Sequence, residues 1–201
     1  MAGSFASLAR QATKLRTSVA VPKEPVDRPR YAIRTLGDTE LRLPAARVDR
    51  VDDRIRDLCR DMLRSMYTAK GIGLAAPQVG VNKQVIVIDL DPETPKAAPM
   101  VLINPTIIAE GAAVDSCEEG CLSIPGVYLN VVRPTLVEVT YQDEAGRRRR
   151  IKADGLLGRC IQHEMDHLKG VLFVDRVTDT EALSSELQEH GFPADAVHAI
   201  R

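Results

Sequence analysis

Residues 163–167 read His-Glu-Met-Asp-His, an H-E-x-x-H pattern. On a helix the two imidazoles stand one turn plus a little apart, so both can reach one ion from the same face. Glu164 sits beside them, near enough to touch an ion-bound water without being a ligand. Two histidines do not hold a catalytic metal by themselves; a third protein donor is needed. The longer pattern H-E-x-x-H-x-x-G-x-x-H matches through Gly170 but has Phe173 where its third histidine would fall. Two donors stay open on spacing: a downstream carboxylate, Glu186 or Glu189, and a cysteine. Cys121 lies in Glu118-Glu119-Gly120-Cys121-Leu122-Ser123-Ile124-Pro125-Gly126, a loop-like stretch in which Gly120 permits close backbone approach. A thiolate with two imidazoles leaves a divalent ion one net positive charge and one open position.

The elements that must position these groups are legible as patterns. A helix over about Asp154–Lys169, closed by Gly170, has Leu156, Leu157, Cys160, Ile161 and Leu168 on its buried side. His163, Glu164 and His167 fall among those aliphatics, which is costly for polar groups unless something satisfies them. Arg159, Gln162, Asp166 and Lys169 fall opposite. A second amphipathic helix is expected over Asp49–Lys70, with Asp49 as cap, Gly71 as C-terminal glycine and Cys59 on the apolar stripe. Strands are expected at Gln84–Asp89, Met100–Asn104, Leu129–Val132, Leu136–Gln142 and Arg148–Lys152, with a hairpin tip near Asp143–Gly146 and a short helix near Thr180–His190. The expected fold is α+β: mixed or antiparallel sheets packed around the central metal helix, with an N-terminal amphipathic helix.

At 201 residues, with 44% apolar and 27% charged residues, the chain has the composition of a globular domain. With 3 Phe, 4 Tyr and no Trp, its core must be aliphatic. The 27 basic against 28 acidic residues exclude a nucleic-acid binder that relies on a strongly basic field. The run Arg147–Arg150 reads as a solvated hairpin edge that could touch RNA locally. No apolar run approaches the roughly 20 residues of a membrane span, so a soluble protein is expected. Its four cysteines read as free thiols or ligands and not as a disulfide framework. Three units are expected: an extended, exposed arm over 1–30, a catalytic domain over 31–178, and a short helix and tail over 179–201. The basic, Ser- and Ala-rich arm also admits an organelle transit peptide.

Three motifs together resemble the peptide deformylases, of type I. They are Gly71-Ile72-Gly73-Leu74-Ala75-Ala76-Pro77-Gln78, Glu119-Gly120-Cys121-Leu122-Ser123 and His163-Glu164-Met165-Asp166-His167, and the resemblance covers roughly residues 33–177. It implies removal of the N-formyl group from nascent N-formylmethionyl peptides, with release of formate, in a bacterial-type cytoplasm or a related organelle. It implies Cys121, His163 and His167 as ligands of one divalent metal, Fe(II), with zinc, nickel or cobalt as substitutes. It further implies Glu164 as general base and then acid, activating a metal-bound water, with Gln78 and the Leu122 N–H as oxyanion donors. The methionine pocket it implies involves Ile72, Leu122, Leu156, Cys160 and His163.

The glycine-rich first motif lacks the G-x-G-x-x-G spacing and follows a helix, which argues against a nucleotide site. Ile72 and Gly73 instead suit a substrate backbone lying alongside as an added strand, with Gly120 opposite. Tyr128 stands where some relatives have a basic residue at the pocket mouth. Glu119 and Arg133 read as a pair fixing the cysteine loop or as a surface pair. Cys117 reads as structural, and His190 and His198 carry no role. Two rival functions remain: a zinc endopeptidase with Glu186 or Glu189 as third ligand, and a ribosome-associated binding protein with a degenerate site. Transient ribosome contact fits either enzyme or binder; membrane association and sequence-specific nucleic-acid binding are not expected.

Overall fold

The computed structural model of the chain describes residues 19, 21–95 and 97–200. Its architecture is α+β, with two antiparallel sheets and three α-helices among the described residues. The larger sheet runs β1 (Gly73–Ala75), β2 (Val85–Ile88), β3 (Met100–Glu110), β6 (Leu136–Gln142), β7 (Arg148–Asp154). The smaller is the hairpin of β4 (Val114–Cys121) and β5 (Ile124–Pro134).

Helix α1 (Asp53–Thr68) packs Leu58, Cys59, Met62, Leu63 and Met66 on one face of the larger sheet, against Leu74, Val85, Val87, Val101 and Ile103. Helix α2 (Gly155–His167) covers the other face, where Leu157, Cys160, Ile161 and Met165 meet Ile86, Ile88, Leu102, Val137 and Val139. Strand β2 is therefore buried on both sides, which is why it reads as an unbroken apolar run. The hairpin closes over the tail: Ile124, Val127, Leu129 and Val131 pack on Leu172, Phe173, Val174 and helix α3 (Thr180–Glu189).

Several sequence expectations are corrected. Helix α1 starts later than expected, because Asp52 and not Asp49 caps it, accepting from the Ile55 N–H at 3.1 Å. At its end Lys70, with φ 57°, takes the left-handed turn expected of Gly71. Strand β3 continues past Pro105 because a register shift between Ile103 and Thr106 lets the proline sit outside the ladder. Cys121 ends a strand instead of lying in a loop. The N-terminal stretch is not simply exposed: Val19 is fully buried against α1, and the Lys23 ammonium lies 2.6 Å from Asp89. The basic residues Arg10, Lys14 and Arg16, on which the transit-peptide reading rests, lie outside the described residues. Among the described residues no helix is long and apolar enough to cross a membrane.

Candidate active site

Helix α2 brings His163, Glu164 and His167 to the seam between the two sheets, and the end of β4 brings Cys121 to meet them. A Cys121, a His163 and a His167 donor atom lie within 4.8 Å of one another, and this is the group suited to a metal ion among the described residues. The Cys121 Sγ is 3.3 Å from His167 Nε2. Glu186 and Glu189 do not join this group, and Phe173, at the position of the absent third histidine, stacks on His163 with ring centroids 6.0 Å apart. A soft thiolate with two imidazoles suits Fe(II), Zn(II), Ni(II) or Co(II) better than a hard cation.

Two buried polar atoms here have no hydrogen-bond partner: Glu164 Oε2 and His167 Nδ1. An unpaired buried carboxylate oxygen is costly in an idle core and useful beside a reacting water. Burial pushes the Glu164 carboxyl up to about 7. Burial and the adjacent His163 push the His167 imidazole well below its usual range, which favours the neutral, ligating form.

The donors are held from behind by a buried charge network. Glu119 Oε2 is 2.9 Å from His163 Nδ1, leaving the other ring nitrogen to face Cys121 and His167. Arg133 donates to both Glu119 oxygens, at 2.6 and 2.9 Å, and to Asp166 at 2.7 Å. Burial alone would raise the Glu119 carboxyl, but the hydrogen bonds from Arg133 and His163 outweigh it and hold the group well below the usual carboxylate range. Arg159 adds a bond to Glu119 at 2.8 Å, and Arg176 clamps Asp166 with two at 2.6 Å. Glu119 and Arg133 are thus a buried pair and not a surface one. Gln162 and Asp166, expected on the exposed side of α2, are also buried, and the Arg159 guanidinium turns inward. A helical wheel reads charge as solvent-facing and cannot register that these charges satisfy one another.

Gln78 is fixed at both ends. Its Oε1 accepts from the Ala75 N–H at 2.8 Å, and its Nε2 points to Ser123 Oγ at 3.1 Å and Cys121 Sγ at 3.5 Å. Leu122 follows Cys121 at the turn into β5.

A cleft of about 480 Å³ opens over these groups. Ile72, Gly73, Gly120, Leu122, Tyr128, Leu156 and Cys160, the expected substrate residues, all line it, together with Gln78, Cys121, His163 and Glu164. Leu156, which spacing puts on the buried side of the helix and the resemblance puts in the pocket, is half exposed and lines the cleft wall. Cys160 serves both, and burial raises its thiol well above the usual range. Cys117 faces solvent on β4. Sequence reasoning missed Lys70, Gly71, Glu118 and Arg159 among the lining residues. A signal for Gly71 exists: a Cβ there would overlap the Leu122 side chain, so the glycine lets the first motif approach the second. Likewise a Cβ on Gly73 would collide with Glu164 Oε1 and Cys160 Sγ.

A thiol and two imidazoles converging beside an unpaired buried carboxylate, in a cleft between two sheet edges, define the class: an α+β hydrolase with a candidate metal centre. The polypeptide deformylase family model matches residues 30–182, and the chain belongs to that family, enzymes that hydrolyse the N-formyl amide. It is 66% identical over 192 residues to peptide deformylase 2 of Prochlorococcus marinus strain MIT 9313, covering 96% of each chain. It is 64% identical over 200 residues to a peptide deformylase of Synechococcus sp. strain CC9311, covering 100% of this chain and 99% of the relative. Its fold is similar to the crystal structure of a peptide deformylase from Synechococcus elongatus in complex with actinonin, with a TM-score of 0.90 and 55% identity over 92% of this chain and 100% of that one.

Proposed function

We propose that the enzyme removes the N-formyl group from formylmethionine at the start of newly synthesised polypeptides, releasing formate, in a bacterial-type cytoplasm. In this reading residues 31–178 form the catalytic unit, and Cys121, His163 and His167 hold one divalent ion, Fe(II). The observation that carries it is the convergence of these three donors beside the unpaired Glu164 Oε2. When bound, the ion supplies Lewis-acid polarisation and lowers the pKa of water.

The remaining steps belong to the chain's own groups. Glu164, with one oxygen free and its carboxyl at about 7, takes a proton from the attacking water and delivers it to the departing amine. Charge building on the formyl oxygen needs donors aimed in advance. Gln78 Nε2, locked by the Ala75 and Ser123 contacts, and the Leu122 N–H fill that role. Strand β1 is the edge of its sheet, so the peptide backbone adds alongside Ile72–Gly73 as an extra strand. The methionine side chain then enters the pocket bounded by Ile72, Leu122, Leu156, Cys160 and His163.

The test is formate release from formyl-Met-Ala after anaerobic purification, with metal content determined on the same sample. Activity that tracks iron and fades in air is expected; an active, air-stable, zinc-loaded enzyme would overturn the choice of metal. Glu164→Ala should keep the metal and lose turnover, and near-normal activity in that variant would overturn the proton-transfer role. Cys121→Ser should lose metal affinity; near-normal affinity would favour the endopeptidase ligand set.

A further inference from the structure

A second hollow shares no lining residue with the cleft. It has a volume of about 720 Å³ and opens on the outer face of β6 and β7. On these strands Val139, Tyr141 and Ile151 turn toward α2, while Thr140, Gln142, Arg148 and Arg150 alternate with them onto the face that α1 leaves uncovered. Arg47, Arg148, Arg149 and Arg150 line the hollow, against one acidic lining residue, Asp49. Asp143 takes both Arg147 and Arg149, at 2.9 and 2.8 Å, and Arg150 holds Glu138 at 2.5 Å. Arg47 and Arg148 form no ion pair among the described residues. The hollow therefore keeps cationic charge in a chain whose net charge is -1.

Its shape is built in. Asn104, with φ 51°, accepts from the Val48 N–H and donates to the Val48 carbonyl, both at 2.8 Å, and donates to Gln142 Oε1 at 2.9 Å. These bonds tie the segment carrying Arg47 to the sheet that carries Arg148. Arg148 and Arg150 stand on one face of β7, about 6.6 Å apart, comparable to the separation of successive phosphates in an extended strand. Thr106 and Thr140, partners across β3 and β6, line the same hollow.

We propose that this hollow binds the sugar–phosphate backbone of single-stranded RNA. The arginines take the phosphates, and the Thr106, Thr140 and Gln142 side chains meet ribose hydroxyls. The two apolar lining residues, Val48 and Tyr141, are buried, so nothing there inserts into a lipid surface or stacks on a base. Recognition is therefore of the backbone, weak and indifferent to sequence. It is independent of the deformylase reading, which is assayed separately.

The experiment is fluorescence anisotropy of a labelled 12-residue oligouridylate with the metal-loaded full chain, across a salt series. Phosphate contacts from Arg47, Arg148 and Arg150 predict a log–log salt slope of about -2, hence roughly 20-fold weaker binding at 200 than at 50 mM salt. Arg47→Gln with Arg148→Gln removes two contacts, so the loss over the same range should shrink to about threefold. Both side chains are exposed and unpaired, so deformylase activity and the thermal melt should be unchanged. Absence of saturable binding, or an unaltered salt slope in the double variant, would overturn the proposal. So would displacement by inorganic phosphate or AMP at equal phosphate concentration, which makes it a simple anion site. Adsorption to phosphatidylglycerol vesicles without RNA binding, abolished in the double variant, would overturn it in favour of lipid.

Discussion

Replacing Lys23 by Met should destabilise the enzyme far more than its place in an N-terminal arm suggests. Its ammonium lies 2.6 Å from Asp89 Oδ2 and donates to the carbonyls of Asp91 and Thr94 at 3.0 and 2.9 Å. The Lys23 side chain is 10% exposed and that of Asp89 2%. Removing one member of a buried pair leaves the other charge uncompensated, at about 3–5 kcal/mol. Here Asp89 keeps the Tyr67 hydroxyl at 2.7 Å and the Asp91 N–H at 3.1 Å, so about 3 kcal/mol is the expected cost. For a chain of this size that is a fall of roughly 6–12 °C in Tm. Lys23→Met with Asp89→Asn removes the stranded charge and should recover about half of it. A matched control, Arg60→Met, breaks an exposed pair with Asp57 and should cost under about 1 kcal/mol. Differential scanning fluorimetry of the four proteins, each metal-loaded, is sufficient. The Asp89 N–H also donates to the Ile72 carbonyl at 2.8 Å, so the single variant should raise KM for formyl-Met-Ala more than it lowers kcat. A Lys23→Met melt within 2 °C of wild type would refute the argument.

Three further outcomes follow from the cleft and the thiols. Gln78→Leu should lower kcat by about 100- to 1,000-fold with little change in KM or metal content; a matching rise in KM instead would assign Gln78 to ground-state binding. Gly73→Ala forces its new methyl onto Glu164 Oε1 and Cys160 Sγ, so turnover should drop about 100-fold while metal content stays, as measured on one sample. In native protein Ellman's reagent should modify the exposed Cys117 first and leave Cys59 untouched, since burial pushes the Cys59 thiol up to about 12; a Cys117→Ser variant with unchanged fast-phase amplitude would contradict this.

What the sequence made legible, and what it hid, follows from the range of the interactions involved. The two histidines and Glu164 are local: helical spacing alone puts them on one face. The long helices and β2 are also local, because their apolar periodicity records which side is covered. Strand β4 left no such record. Its residues Val114–Glu118 are exposed, and only pairing with β5 makes them a strand. Arg159, Gln162 and Asp166 failed for the opposite reason: Gln162 and Asp166 are buried and the Arg159 guanidinium is turned inward, each satisfied by a distant partner, Pro134, Arg133 and Glu119 respectively. Lys23 and Asp89 stand 66 residues apart in sequence, as their numbers show, and no window joins them.

The two strands absent from the sequence reading, β1 and β4, bear most directly on function. Both β1 and β4 end their sheets, each with one edge lacking a strand partner. Exposed edges invite unwanted pairing, and proteins ordinarily blunt them. Here β1 is only three residues long, and helix α2 stands between the two edges with Glu164 against Gly73. An extended peptide entering the cleft can complete the ladder beside Ile72–Gly73, but the short edge offers it only a few main-chain bonds. Binding on those terms depends little on side chains beyond the first residue, as expected for an enzyme whose substrates share one formylated terminus and differ afterwards. Two glycines, Gly71 and Gly73, set the width of that cleft, and at either one a single methyl group would narrow it.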